Sequence, residues 1–351
     1  IVEVNVKSGI VTRRPLLASI AVVILLGLAA IPAPEMRLGL PDGSSEPEDS
    51  TTYKSFSLVS DNFGEGANGL ITTVVTMPEP VAEEDLVSVQ ADLGERFFAL
   101  ENVMAVLPAA VSQDGKTLLF QVIPDYGPAS IETEELVFDL RGLSEEISSD
   151  FGAELGITGI TASNIDISKI LADALPTYLG TVLLLSLVLL ILVFRSILLP
   201  LLATAGFLLT TVATFGAVVA VYQWGWFGFL FGVHDPGPVL NFLPTILIGV
   251  LFGLAMDYQL FLASGMREAF VHGKNPKDSI NHGIALSRSV VIAAALIMIT
   301  VFGGFAFSHN TLIRPIGFGL AMGVLIDAFL IRLILVPSLM SLFGKATWWL
   351  P

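Results

Sequence analysis

The sequence predicts a polytopic α-helical membrane protein. Six spanning helices are expected, one before and five after a water-exposed α+β domain of the ferredoxin-like βαββαβ type. Three observations carry this. Of 351 residues, 54% are hydrophobic and only 14% are charged, where a soluble chain is nearer a quarter charged. The apolar residues gather into runs close to the roughly 20 that a helix needs to cross a bilayer. The charge is also sorted by segment. Residues 33–175 hold 26 Asp/Glu against 6 Lys/Arg, whereas the rest holds 6 acidic and 11 basic residues.

The first segment, residues 1–34, ends in an apolar run over 16–31 that follows Arg13-Arg14-Pro15 and is closed by Pro32 and Pro34. Basic residues before a hydrophobic run also describe a signal peptide. The lack of a clean small-x-small cleavage site and the further runs downstream favour a first spanning helix. Residues 35–175 form the exposed domain. A Pro/Gly/Ser/acidic connector over 36–52 leads to a short helix at 53–63. A strand at 70–77, a helix at 81–100, strands at 103–111 and 116–123 around Asp114-Gly115, a helix at 131–149 and a strand at 155–161 follow. Strand, helix, strand, strand, helix, strand is the split βαβ order, and Asp-Gly between two strands is a hairpin signal. An amphipathic helix at 163–175 returns the chain to the membrane. Residues 176–351 then supply five spans, at 176–194, 197–221, 240–264, 289–307 and 314–343.

Alternating these spans places Lys7, Arg13, Arg14, Arg195, Arg267, Lys274, Lys277, Arg288 and Lys345 on one side, while the loop 222–239 carries no Lys or Arg. The positive-inside rule makes the basic side cytoplasmic, so the acidic domain is expected outside. Trp224 and Trp226 mark the outer interface and Trp348-Trp349 the inner one. Arg288 is expected to snorkel.

The chain is organised around residues 249–268, GVLFGLAMDYQLFLASGMRE, apolar on both sides of a single carboxylate, Asp257, followed by Tyr258. A charge near the centre of a spanning helix costs about 2.5–3.5 kcal/mol on insertion scales. Asp257 is therefore expected to be enclosed at membrane depth as a proton- or ion-titrating group. Gly249, Gly253 and Asp257 recur every four residues, and so do Gly319, Gly323 and Asp327. Each pair of glycines then shares a face with its carboxylate, and small residues at this spacing let helices approach closely in lipid. A packing seam with a hydrogen-bonded Asp gives the same pattern. For Asp327 an ion network with Arg332, five residues on, is a further explanation. Phe261 and Ser264 share the helix of Asp257 and either line the relay or pack. Tyr258, roughly 100° around the helix from Asp257, is expected to donate to a carboxylate on a neighbouring helix.

GLAMDYQLFLASGMREAF, SRSVVIAAALIMITVFGGFAF, GVLIDAFLIRLILVPSLM and GKATWWLP together resemble the C-terminal half of the MMPL proteins, the mycobacterial-membrane-protein-large transporters of the resistance–nodulation–division (RND) superfamily. The resemblance covers nearly the whole chain. Gly265 departs from it, since the family more often has Arg before Met-Arg-Glu. The resemblance implies two halves, each with one helix, a porter domain and five helices, and Asp-Tyr pairs that face each other on the fourth and tenth helices of the full-length protein. Asp257 and Tyr258 match the tenth-helix pair. The fourth-helix pair has no counterpart here, so a missing N-terminal half or a second copy is expected as a partner. The start at Ile1 rather than Met hints at a fragment.

What the resemblance implies is a bacterial inner-membrane, proton-driven exporter of lipids or other hydrophobic amphiphiles, such as trehalose-mycolate-type envelope glycolipids of actinobacteria, with envelope accessory proteins as possible partners. A multidrug exporter of the same superfamily and a non-transporting, sterol-sensing-like lipid-binding scaffold are the alternatives. The residues themselves disfavour other classes. No phosphate-binding GxxxxGK[ST] loop occurs, there is no cysteine, and His234, His272, His282 and His309 have no ligand spacing. His234-Asp235 beside Pro236-Gly237 reads as a turn. Neither a cofactor nor a metal is expected. An enzyme in the exposed domain lacks a nucleophile or metal cluster, and nucleic acid is disfavoured by the acidic charge.

Overall fold

The computed structural model describes residues 13–348, apart from the side chain of Tyr258. Lys7 and Trp349 of the expected inner surface lie outside the described residues. The chain divides into two compact units, one of residues 1–37 with 172–351 and one of residues 38–171.

The helix α1 (Pro15–Ala30) belongs to the membrane unit, and α2 (Thr51–Phe63) opens the second unit after a connector. Ser50 caps α2 by accepting from the N–H of Tyr53 at 3.0 Å, which satisfies one of the free donors of the first turn. There follow β1 (Ile71–Thr76), α3 (Glu83–Phe98), β2 (Val103–Val111), β3 (Thr117–Pro124), α4 (Ile131–Gly142), α5 (Ser144–Phe151) and β4 (Glu154–Thr158). The sheet is antiparallel in the order β2-β3-β1-β4. One face is buried because strand residues alternate: Leu118, Phe120 and Val122 of β3 and Ile71 and Val75 of β1 are all inaccessible. They meet Leu93 and Phe97 of α3 and Leu136, Val137 and Leu140 of α4. Phe97 sets its ring edge against Phe120 with centroids 5.4 Å apart.

Two expectations for this segment need correction. The single helix at 131–149 is two helices, broken at Leu143. Gly142 supplies a weak point, since glycine holds helical backbone poorly, while Leu140 and Ile147 stay buried on both sides of the break. The amphipathic helix at 163–175 and the span at 176–194 are one helix, α6 (Ile160–Phe194), with Pro176 inside it. Pro176 removes one N–H and leaves the Ala172 carbonyl without its helical donor. Spanning helices tolerate this where the freed group is otherwise satisfied. Within the domain, the start of α6 is tied to α4 by a two-pronged pair, Arg141 to Asp166 at 2.7 and 2.8 Å.

The membrane unit comprises α1, the apolar part of α6, α7 (Leu198–Val218), α8 (Leu243–Val271), α9 (Pro276–Ala306) and a last span. Among the described residues, six helices are long and apolar enough to cross a membrane, so this is a multi-pass membrane protein. The last span is not uniform. It runs as α10 (Ile313–Leu325), a ten-residue π-helical stretch Ile326–Leu335, and α11 (Val336–Phe343). α7 also ends in a π-helical turn, Val219–Gln223. At the start of α9, Asn275 caps by accepting from the N–H of Asp278 at 2.9 Å, with Pro276 at the first position where its missing N–H costs nothing.

The core of this unit joins Val22 and Leu26 of α1, Ala213 of α7, Leu262 and Met266 of α8, and Ile331, Val336 and Met340 of the last span. Gly216 of α7 lies directly against the Ala29 carbonyl of α1, leaving no room for a side chain. Gln223 holds the chain as it leaves α1: its Nε2 donates to the Glu35 carbonyl at 2.7 Å and its Oε1 accepts from the Arg37 N–H at 2.9 Å. The outward face of α9 remains apolar, with Ile297 at 65% and Leu296 at 53% exposure. That composition suits contact with lipid.

Candidate functional site

The two carboxylates singled out by the sequence occupy opposite environments. Asp327 lies in the π-helical stretch and is 4% exposed. Its Oδ2 accepts from Arg332 Nε at 2.5 Å. A π-helix widens the turn, so residues five apart align, and this puts Arg332 directly beside Asp327. Arg332 Nη1 also donates to Oε1 of Gln259 at 3.1 Å. Gln259 belongs to α8 and is 2% exposed. A buried ion pair on the last span is thus joined to α8 two residues beyond Asp257.

The glycines explain how the two helices come close enough. A Cβ on Gly319 would stand 2.7 Å from Leu247, and one on Gly323 would stand 2.5 Å from Leu251. The Gly319–Gly323 face of α10 is therefore packed against α8, as small-residue spacing requires. The ion-network explanation of Asp327 describes the observed contact.

Asp257 differs from expectation. It is exposed, as are Gly253, Phe261 and Ser264. A Cβ on Gly253 would meet nothing within 4 Å, whereas one on Gly249 would stand 2.9 Å from the Tyr178 hydroxyl of α6. The expectation that Asp257 is enclosed within this chain is corrected: Gly253 and Asp257 sit on a face of α8 that no described residue covers. The physical reason is rotational. Gln259 lies about 200° around the helix from Asp257, so the face that buries Gln259 against the last span turns Asp257 away. The Ser264 hydroxyl donates back to the Phe261 carbonyl at 3.1 Å and is not free for a relay. The side chain of Tyr258 lies outside the described residues, so its expected hydrogen bond does too.

Gln259 is the member that the sequence reading missed. The signals were present: a polar side chain two positions after the carboxylate in an otherwise apolar run, and an arginine in the last span with more donors than one aspartate can satisfy. A reading organised by titratable groups passes over a neutral amide.

At the other end of the bundle, Arg314 is 9% exposed and donates to two backbone carbonyls. Its Nη1 donates to Gly232 at 2.6 Å and its Nε to Ser308 at 2.9 Å. His234 stands in the same loop, and no group of three or more His, Cys, Asp or Glu among the described residues could hold a metal ion.

Residues 47–351 match the MMPL family. The chain is 42% identical over 349 residues to membrane protein YdfJ of Bacillus subtilis, covering 99% of this chain and 47% of that protein. It is 30% identical over 350 residues to the mycolic acid-containing lipids exporter MmpL11 of Mycolicibacterium smegmatis, covering 98% and 36%. Over the same length it is also 30% identical to the heme uptake protein MmpL11 of Mycobacterium tuberculosis H37Rv, covering 98% and 35%. The chain thus spans half or less of the length of these relatives. With this match over most of its length, the chain belongs to the MMPL family.

Proposed function

We propose that this chain is one half of a proton-driven exporter of lipids or other hydrophobic amphiphiles, with Asp257 as the proton carrier. The observation that carries the proposal is the position of Asp257: a lone carboxylate midway along a spanning helix, on a face that the described residues leave open. A carboxylate facing acyl chains costs about 2.5–3.5 kcal/mol or more, so that face is one that protein or water covers. A second half, bearing its own carboxylate–phenol pair, is the partner that fits. Protonation of Asp257 would then alter the contact between the halves. A proton crossing the membrane releases about 2.3 kcal/mol per 100 mV, enough to bias a conformational step.

In this reading the Asp327–Arg332–Gln259 network serves the relay by holding α8 in register with the last span. The domain of residues 38–171 is read as a ferredoxin-like porter domain on the outer side, supported by its element order and by the sheet order β2-β3-β1-β4. Its placement on the outer side is read from the positive-inside rule, which assigns Arg195, Arg267, Lys274, Lys277 and Lys345 to the cytoplasmic side. A lipid cargo is supported by the M. smegmatis relative, which is named as an exporter of mycolic acid-containing lipids.

The test is the Asp257→Asn variant of the protein that carries this chain. Asn matches the shape of Asp and cannot ionise. Export of lipid to the outer leaflet is expected to fall at least tenfold with cargo binding retained. Undiminished export would refute the assignment, while binding without any proton-dependent export in the unaltered protein would favour a lipid-binding scaffold.

A further inference from the structure

The buried ion pair leaves one atom unsatisfied. Asp327 Oδ2 is taken by Arg332, but Asp327 Oδ1 is buried with no hydrogen-bond partner. On α7, Thr210 is wholly buried and its Oγ1 also lacks a partner. Its neighbours on that helix differ: Thr211 donates to the Phe207 carbonyl at 2.9 Å and Thr214 to the Thr210 carbonyl at 2.7 Å. Thr210 is therefore the threonine of this turn that does not satisfy itself within its own helix.

Two contacts fix the level of these atoms. A Cβ on Gly206 would stand 2.6 Å from Ile331 Cγ2, and the rings of Tyr222 and Phe318 lie 5.7 Å apart. Residue numbers rise along one element as they fall along the other, so α7 and the last span are antiparallel. Thr210 lies one turn beyond Gly206 on the same face. Asp327 lies four residues before Ile331, at the matching level of the opposite helix. Two orphaned polar atoms thus occupy one level of the interface between α7 and the last span.

We propose that a bound water molecule occupies this interface, accepting from the Thr210 hydroxyl and donating to Asp327 Oδ1. Buried polar groups are almost always hydrogen-bonded, and a single water with two or more polar partners is the usual means where helices cannot close the gap. A cation is the poorer occupant. Arg332 already neutralises Asp327, so an added positive charge would be uncompensated at membrane depth. Water is neutral and supplies both the acceptor that Thr210 needs and the donor that Asp327 needs. The site would complete the network Thr210–water–Asp327–Arg332–Gln259, which links α7, the last span and α8. It rests on burial and packing and does not depend on the transport reading.

The experiment has two parts. A density map of the unaltered protein, at a resolution that shows ordered water, is expected to contain one water within hydrogen-bond distance of both Thr210 Oγ1 and Asp327 Oδ1. Thr210→Val, which keeps the side-chain shape and removes the hydroxyl, is expected to lower Tm by about 2–4 °C, because the water loses its donor. An empty interface in the map would overturn the proposal. So would a Tm that stays or rises in Thr210→Val, the result expected for a dry hydroxyl replaced by a methyl group. A Na+-dependent Tm in the unaltered protein that Thr210→Val abolishes would assign the site to a cation and would equally overturn it.

Discussion

Arg332 donates to Gln259 across the interface of the last span and α8, at 3.1 Å, while its Nε holds Asp327. One guanidinium thus balances the charge of one helix and fixes its position against another. Gln259 accepts without adding charge, so the buried network is neutral as a whole.

This arrangement predicts a strong asymmetry between single and double substitutions. Arg332→Met leaves Asp327 buried and unpaired, and a loss of about 3–5 kcal/mol is expected. Asp327→Leu combined with Arg332→Met removes both charges and is expected to recover most of that loss. Denaturant unfolding of the detergent-solubilised protein measures both. Additive losses in the double variant would contradict the account.

The glycine contacts make a second prediction. Gly323→Ala drives a methyl group into Leu251, with an expected cost of about 1–3 kcal/mol. Leu251→Ala in the same chain should relieve the clash and return part of the loss. Gly216→Ala meets the Ala29 carbonyl, which is backbone, and no side-chain truncation should rescue it. Thermal unfolding of the three variants distinguishes the cases.

The exposed domain carries a pH signature. Arg96 joins Asp92, Glu146 and Asp150, at 2.7 Å to Glu146 and 2.8 Å to Asp150, tying α3 to α5. Hydrogen bonding from Arg96, then from Ser149, holds the Asp150 carboxyl below its ordinary value. A depressed carboxylate contributes stability that is present above its unfolded value and lost as pH falls through its folded value. The domain should therefore weaken below about pH 4. Arg96→Met should be less stable near neutrality yet show a shallower acid loss. Hydrogen exchange of domain amides across this range reads both effects, and an unchanged acid slope would contradict the assignment.

The spans were legible because length and apolar content suffice to define them. The domain strands were legible because Leu118, Phe120 and Val122 alternate with more accessible residues. Pro176 misled because proline marks helix ends in water more often than in lipid. The π-helical stretch 326–335 has no compositional mark: its apolar run reads as ordinary helix, and only the Asp327–Arg332 spacing of five hints at a wider turn. The open face around Asp257 was illegible for another reason. Periodicity shows which residues share a face, and what covers that face depends on packing beyond the helix. Gln259 escaped because its importance lies in what it accepts from a residue 73 positions away.

The most direct test is proton flux through Asp257. The protein that carries this chain, reconstituted in vesicles with an imposed pH gradient and cargo, should take up protons in step with export, and Asp257→Asn should reduce that uptake to the level of protein-free vesicles. Equal proton uptake by the Asp257→Asn and unaltered proteins would contradict the account.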